Sequence, residues 1–175
     1  MTQPTVIVAS LMRFDGTTGV QSHMGEFVHY MKGKSRPHEV ATPFHWSSLP
    51  LLAMFIALRK LCERFFKPGA VMVYREGHAW LLGWRLRQLM RRHTDCVVYA
   101  QCPVSARVAM SCRRHPSQKV ALVVHFNVSQ AEEWIGKGMI ARGGSLDSRI
   151  RAMEADVVSR VDGIIFVSRF MQSEL

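Results

Sequence analysis

Hydrophobic residues follow two different spacings along the chain, and each change of spacing marks a change of element. Residues 6–11 form a solid apolar, β-branched run, which predicts a buried strand. A short polar loop with two glycines follows at residues 15–19. From Val20 to Met31 the apolar residues recur at every third or fourth position, which predicts a helix. The chain therefore begins with a predicted strand, a glycine loop and a helix.

The same alternation continues to the end of the sequence. Further apolar runs predict strands at 39–44, 70–74, 96–100, 120–124 and 163–167. Helical spacing predicts helices at 49–66, 80–92, about 106–114 and 146–161, and the capping-box spacing of residues 129–132 predicts the start of another. Pro68 and Gly69 predict the end of the helix at 49–66. Because solid apolar strands alternate with helices, the sequence predicts a single α/β domain over residues 1–175, with a doubly wound, mostly parallel, Rossmann-like sheet.

Polar side chains gather where the predicted strands end. Those segments are 13–19, 75–78, 101–105, 125–127 and 168–169. Ligands of doubly wound sheets bind in the crevice beyond the carboxyl ends of the strands. A sheet with only a structural role has less need of Arg, Glu, His, Gln and Asn at one edge, so we expect the functional site there.

The glycine loop has two interpretations at this stage. Gly16 and Gly19 could bring backbone N–H groups and the positive end of a helix to a phosphate. They could equally form only a tight turn between strand and helix, because Gly-Thr-Thr-Gly matches neither a P-loop nor the three-glycine dinucleotide fingerprint.

Composition and charge narrow the class of protein. A chain of 175 residues with 48% hydrophobic content is long and apolar enough for a globular core. Its net charge of +10 suggests an anionic partner, but no helix-turn-helix, zinc-finger or RNP pattern supports nucleic acid. The start of the chain lacks a signal peptide's basic segment. The four cysteines show no zinc or CxxC spacing, which favours reduced thiols in a cytoplasmic protein and predicts no metal site.

Two basic segments, 49–67 and 80–92, combine aromatic and aliphatic residues with Lys and Arg. That mixture suits the surface of an anionic membrane, which would place the protein peripherally on the inner face of the cell membrane. The same helices could simply cover the sheet, and the sequence leaves both interpretations open. No apolar run approaches the roughly 18–20 residues of a membrane span.

The order of these motifs resembles the N-terminal domain of family-4 glycosyltransferases of GT-B fold. Their first loop usually reads Gly-Gly-Val-x-x-His. Gly19, Val20 and His23 match that pattern, and Thr18 replaces the first glycine. Residues 155–168 resemble the last helix and strand of that domain. His125 is similar to a histidine that often faces the family's reaction centre. The resemblance covers nearly the whole chain.

The resemblance implies a metal-independent, cofactor-free and retaining transfer of a sugar from a nucleotide-diphosphate-sugar to an acceptor hydroxyl, in polysaccharide or glycolipid synthesis. It implies that the loop of Gly16 and Gly19 approaches the donor phosphates and that His125 acts at the reaction centre, although His125 could also be an ordinary strand-end histidine. The acceptor is expected to be a glycan or a lipid-linked saccharide. The residues predicted to bind it are Arg75, Glu76, His78 and Asn127, of which Arg75 and Glu76 could equally form a surface ion pair.

One part of the family pattern has no counterpart in these 175 residues. In the family a C-terminal domain with a Glu-x7-Glu motif holds most of the nucleotide-sugar, and no such motif occurs here. We therefore expect the isolated chain to bind donors weakly and to transfer nothing without that C-terminal domain, in cis or in trans. The alternatives are one subunit of a split enzyme, or a non-enzymatic α/β module that binds nucleotides or nucleic acid.

Overall fold

One sheet of five parallel strands organises the computed structural model of the chain, which describes residues 3–125, 129–169 and 172. The strands are β1 (Thr5–Ala9), β2 (His38–Ala41), β3 (Cys96–Ala100), β4 (Lys119–Val124) and β5 (Gly163–Phe166). The helices are α1 (Gly19–Gly33), α2 (Leu49–Phe65), α3 (Lys67–Arg92), α4 (Pro103–Cys112), α5 (Gln130–Gly136) and α6 (Ser145–Arg160), with a 3-10 turn at Trp46–Ser48. The predicted doubly wound α/β fold is confirmed.

The strand order, β2-β1-β3-β4-β5, places the first strand inside the sheet. The chain moves outward from β1 to β2 and then crosses back to add β3 on the other side of β1. This is one of the common doubly wound orders, and its direction switches between β1 and β3. Ala9 pairs with Ala41 of β2 and with Ala100 of β3, so the three strands end at one level. A ligand crevice is expected above that level.

Alternate residues of each central strand enter different hydrophobic clusters. Ile7 and Val98 pack with residues of α3, α4 and α6 on one face of the sheet. Val8 and Tyr99 pack with residues of α1 on the other face. All four are buried, which explains why these strands read as solid apolar runs and not as alternating ones.

The strand predicted at 70–74 is wrong, because these residues belong to α3. Pro68 lies in the first turn of that helix, where its missing N–H removes no intrahelical hydrogen bond. The chain breaks instead at Phe66, whose φ of −152° is extended. The buried residues Val71, His78 and Leu82 then recur with helical spacing. The sheet consequently has five strands among the described residues and not six. The helix predicted at 80–92 begins 13 residues earlier, at Lys67, whereas the other predicted boundaries agree within three residues.

Helices α2 and α3 form an antiparallel hairpin, the α2–α3 hairpin, around Phe66. The Arg59 guanidinium lies 4.9 Å from the centre of the Tyr74 ring. Nearer the other end of α2, Phe55 packs against Gly77, where an added Cβ would lie 2.7 Å from the Phe55 Cδ1 atom. Leu52 is the one α2 residue that is buried, so α2 lies outside the layer that covers the sheet.

Candidate functional site

A cavity of about 950 Å³ lies at the carboxyl ends of β1, β3 and β4, where the strand order switches. The loop after β1 and the first turn of α1 form one side of it. The α2–α3 hairpin and α5 contribute further walls. Its lining includes Ser10, Gly19, Val20, His23, Arg59, Glu63, Tyr74, Arg75, Gln101, His125 and Trp134. The predicted position of the site, at this edge of the sheet, therefore coincides with a cavity.

The glycine loop is held by a capping box at the start of α1. The Gln21 N–H donates to Thr18 Oγ1 at 3.4 Å, and the Thr18 N–H donates to Gln21 Oε1 at 3.2 Å. The Gln21 amide also donates to the carbonyl of Arg13 at 3.0 Å. The N–H groups of Gly19 and Val20 belong to the first helical turn and have no acceptor within the helix. Both residues line the cavity, so the positive end of α1 lies at its wall.

The two predicted phosphate glycines have different surroundings. Gly16 does not line the cavity, and a Cβ at this position would lie 2.2 Å from side-chain atoms of Gln21. Gly16 therefore makes room for Gln21. Gly19 lines the cavity, an added Cβ would have nothing within 4 Å, and its φ is not in the left-handed region. Neither crowding by the protein nor backbone strain accounts for a glycine at position 19.

Two histidines meet inside the cavity. The His23 and His125 rings are in edge contact, with centroids 5.0 Å apart. His125 Nε2 lies 2.7 Å from Gln101 Oε1, and His23 Nε2 lies 2.9 Å from the Tyr99 hydroxyl. Because an amide oxygen only accepts, the Nε2 of His125 carries the proton and donates it. The Nδ1 of a neutral His125 is then a hydrogen-bond acceptor.

Both imidazoles are uncharged at neutral pH. Burial, and secondarily the charge of His23, lower the pKa of His125 to about 4. Burial also lowers the pKa of His23 below its ordinary value. Near pH 7 this pair therefore offers hydrogen bonds and no positive charge.

The Gln101 side chain has one unsatisfied donor. The residue is 1% exposed, and its Nε2 has no hydrogen-bond partner within the described part of the structure. Leaving a buried amide donor unpaired costs about 1–3 kcal/mol. Since Gln101 lines the cavity, a ligand oxygen bound there would satisfy it.

Arg75 is a buried cation without an acidic partner. It is 6% exposed, and its Nη1 donates to Gln130 Oε1 at 2.8 Å. In the described ranges no carboxylate lies within 4.0 Å of its guanidinium. Burial lowers the pKa of Arg75, but a guanidinium remains charged at neutral pH. Glu154 and Glu76 attract this charge only from a distance. A buried guanidinium without an ion pair is costly, so this wall of the cavity favours an anion.

The other predicted acceptor residues lie elsewhere. Glu76 is on the surface and accepts hydrogen bonds from Arg107, at 2.9 Å for the shorter one. His78 is buried beside the Tyr74 ring, and its Nδ1 lies 2.8 Å from the Tyr74 carbonyl oxygen. These positions diverge because consecutive residues of a helix point about 100° apart, whereas the prediction treated 75–78 as a loop after a strand. Asn127 lies outside the described residues.

Several cavity residues were not chosen from the sequence. Gln101 occurs in a segment predicted to lie at the site, but polarity alone did not separate it from its neighbours. His23 lies outside those segments and was named only as part of the loop pattern of the family. Arg59, Tyr74 and Trp134 come from helices that reach the cavity only through the α2–α3 hairpin and α5. A helix predicted over 70–78 would have placed Tyr74 and Arg75 on adjoining faces and made both of them candidates for the site.

The described residues contain no group of three or more His, Cys, Asp or Glu side chains placed to hold a metal ion. Within the same residues, no helix has both the length and the apolar character to cross a bilayer. Comparison with protein-family models, with curated proteins and with solved structures found no match. The resemblance to family-4 glycosyltransferases therefore stays a prediction.

Proposed function

We propose that this chain is the acceptor-side domain of a retaining glycosyltransferase. In this proposal a sugar moves from a nucleotide-diphosphate-sugar to an acceptor hydroxyl, without a metal, in polysaccharide or glycolipid synthesis in the cytoplasm. A C-terminal domain, in cis or in trans, holds the rest of the donor. The acceptor is a glycan or a lipid-linked saccharide.

The observation that carries the proposal is the set of hydrogen-bond donors that converge on the switch-point cavity. The first turn of α1 offers the N–H groups of Gly19 and Val20, and Gln101 offers a buried amide donor without a partner. A sugar phosphate presents many oxygen acceptors, which such donors match. Aromatic side chains of Tyr74 and Trp134 in the same lining supply apolar surface for a sugar ring.

Each residue then has a defined role. The donor diphosphate lies at the N-terminus of α1, where Gly19 permits close approach. The neutral His125 bonds a sugar hydroxyl, and its hydrogen bond with Gln101 fixes its orientation. Arg75 neutralises a phosphate or carboxylate of the acceptor. Glu76 and His78 have no direct role in this arrangement, because neither lines the cavity.

The proposal is tested by titrating the chain with a panel of nucleotide-diphosphate-sugars while its amide resonances are followed by NMR. We expect weak binding, with dissociation constants in the millimolar range, and shifts concentrated at Gly19, Val20 and Gln101. We expect no release of nucleoside diphosphate, because most donor contacts belong to the second domain. Saturating donor without shifts at the start of α1 would contradict the donor site. Turnover by this chain alone would contradict the half-enzyme part of the proposal.

A non-enzymatic nucleotide-binding module is the second candidate. It is favoured by Arg75, a buried cation that can bind an anion without a second domain. Such a module would bind a nucleoside diphosphate as tightly as the corresponding nucleotide-sugar, because the sugar would make no specific contact. Equal affinities in the same titration therefore favour this candidate, and tighter binding of the sugar-bearing ligand favours the glycosyltransferase. Turnover that appears only when a second chain is added would identify a split enzyme.

A further inference from the structure

The outer side of α2 is an exposed apolar surface. Leu52 is the single buried residue in a helix of 17 residues. Large side chains turn instead toward solvent, with Leu61 at 57% and Phe65 at 76% exposure. Leu51, Met54 and Leu58 are exposed on the same side of α2, and Leu49 and Ile56 are exposed on another side. Monomeric soluble proteins rarely leave so continuous an apolar stripe on one helix without a function for it.

Aromatic residues extend this surface beyond α2. Phe66, at the turn of the α2–α3 hairpin, is 60% exposed, and Trp80 of α3 is 55% exposed. The Trp80 ring contacts Phe55 of α2, so the two helices share one continuous face. Trp46, in the turn before α2, is 77% exposed. Tryptophan, with its apolar body and polar N–H, is typical of the boundary between water and lipid.

The charges at this surface have one sign. Lys60, Arg64 and Lys67 are exposed on α2 and at the start of α3. The only acidic residue of α2 is Glu63, which lines the cavity. Glu76, the nearest acidic residue along α3, is paired with Arg107. An apolar stripe beside basic residues is complementary to an anionic lipid surface.

We propose that the outer face of α2, extended by Phe66 and Trp80, binds the interface of an anionic lipid bilayer. The helix lies in the plane of the headgroups, inserts Leu61 and Phe65 among the acyl chains and places Lys60 and Arg64 against lipid phosphates. A second copy of the chain does not fit this face, since two such surfaces would bring like charges together. The proposal concerns α2 and does not depend on the chemistry of the cavity.

The basic end of α3 behaves differently from α2. The buried residues of this half of α3 pack against the sheet, so it belongs to the helical layer that covers the sheet. They are Leu82, Leu86, Leu89 and Met90. Arg91 and Arg92 are exposed, but they lie at the end of α3 away from the hairpin turn, roughly 36 Å along its axis. They provide a matched control, because their removal changes the net charge without touching the outer face of α2.

Binding of α2 to a bilayer would also fix the distance between the cavity and the membrane surface. Arg59 and Glu63 line the cavity from the same helix whose outer side carries Leu61 and Phe65. A cavity wall and a lipid-facing surface are therefore two sides of one element about 25 Å long. The cavity would open within a helix diameter, about 10 Å, of the lipid headgroups.

The test is co-sedimentation of the chain with vesicles of phosphatidylcholine alone or with 30% phosphatidylglycerol, a composition chosen on the order of natural anionic leaflets. We expect binding that needs the anionic lipid and weakens with salt. Leu61→Ser/Phe65→Ser should lower the partition coefficient at least about tenfold, because the apolar contribution is lost. Lys60→Gln/Arg64→Gln should lower it severalfold at low salt, and Arg91→Gln/Arg92→Gln should leave it near wild type.

Circular dichroism of each variant establishes that the fold is retained. Tryptophan fluorescence, to which the exposed Trp46 and Trp80 contribute, should shift to the blue with anionic vesicles. Equal losses in the two charge variants would overturn the proposal, because binding would then depend on net charge and not on α2. Absence of vesicle binding would overturn it as well. A concentration-dependent dimer abolished by Leu61→Ser/Phe65→Ser would show that a second copy occupies the face and would replace the lipid proposal.

Discussion

At the residue scale, the neutrality of His125 leads to a pH dependence with a definite sign. Its pKa is about 4 in the folded chain, against an ordinary value near 6.5 when unfolded. The unfolded state therefore takes up a proton first as the pH falls. The contribution of His125 to stability is complete above about pH 6.5 and is lost between there and about pH 4.

We expect the difference in unfolding free energy between wild type and His125→Gln to shrink by about 2 kcal/mol from pH 7 to pH 4.5, after allowance for partial exposure of the ring. Urea denaturation at several pH values measures this difference. An NMR titration of the His125 ring provides the independent check. A midpoint near 6.5 would show that the ring is better solvated than its contacts with Gln101 and His23 indicate.

Substitution of Gly19 should weaken ligand binding and leave the stability of the fold nearly unchanged. A Cβ at this position meets nothing within 4 Å and the backbone is not left-handed, so Gly19→Val should stay within about 1 kcal/mol of wild-type stability. Its side chain would project where the donor phosphates are proposed to lie, and donor affinity should fall at least tenfold. In a complete enzyme, transfer should fall by orders of magnitude.

Gly25→Val is the matched control for this prediction. Gly25 belongs to the same helix and has equally open space, but it does not line the cavity. Calorimetric titration of both variants with nucleotide-diphosphate-sugar measures the effect. Normal affinity in a folded Gly19→Val would remove the phosphate role, and similar losses in the two variants would assign the effect to α1 as a whole.

The sequence was sufficient to place some residues at the cavity and insufficient to explain others. His125 was predictable because it follows an apolar strand directly, and Gly19 because it lies between the first strand and the first helix. The sheet fixes where such residues lie. Gly16 lies in the same loop, but a glycine is needed there because the Gln21 side chain occupies the space that a Cβ would take. That packing depends on the capping box of α1, so spacing alone could not separate the two glycines.

At the scale of elements, Gly77 controls the spacing of the α2–α3 hairpin. A Cβ there would lie 2.7 Å from Phe55 Cδ1 and 2.9 Å from its Cγ, in the body of the ring and not at a flexible tip. Gly77→Val should destabilise the protein by about 1–3 kcal/mol through overpacking. Gly25→Val again serves as the control in urea denaturation, and an equal change in both would show that helix propensity is the cause.

The error at 70–74 has a physical origin in this hairpin. Residues 70–74 form a short apolar run bounded by Pro68 and Gly69, which is also the signature of a buried strand. Local sequence cannot decide between the two, because Pro is favoured both in breaks and in the first turn of a helix. The deciding interactions are with α2, such as Phe55 against Gly77.

At the scale of the whole molecule, Gln118 joins three elements. It is fully buried, and its amide donates to the carbonyls of Met90, at the end of α3, and of His93. Its Oε1 accepts from the N–H groups of Arg114 and His115, after α4. The side chain therefore satisfies four backbone groups immediately before β4.

Gln118→Leu should leave these groups without partners and lower the unfolding free energy by about 2–4 kcal/mol. Ser117→Ala is the control, because it removes only exposed hydrogen bonds of the neighbouring residue, with the Thr94 carbonyl and with His115 Nδ1. We expect it to cost less than about 1 kcal/mol. Chemical denaturation of both variants measures the difference, and equal losses would show that the segment as a whole, and not the Gln118 amide, is responsible.

The class of fold was predictable and the arrangement of its long-range contacts was not. Solid apolar runs alternating with helices are sufficient for a parallel sheet covered on both faces. The Gln118 amide donates hydrogen bonds to carbonyls 25 and 28 residues earlier in the chain, and no local sequence pattern predicts such a contact. The cavity has the same character, since Gly19, Arg75 and Gln101 come from three distant parts of the chain.

The position of β1 inside the sheet also determines how late in synthesis its pairing with both neighbouring strands can be completed. Cys96 of β3, the partner of Thr5, follows it by 91 residues. Translation at roughly 5–20 residues per second takes about 5–18 s to cover that distance. Late in this interval β1 has only β2 available as a partner in the sheet, and α2 has been synthesised with its apolar side uncovered. We expect the nascent chain to spend those seconds as a client of chaperones or of the bilayer, before the central pair of strands can close.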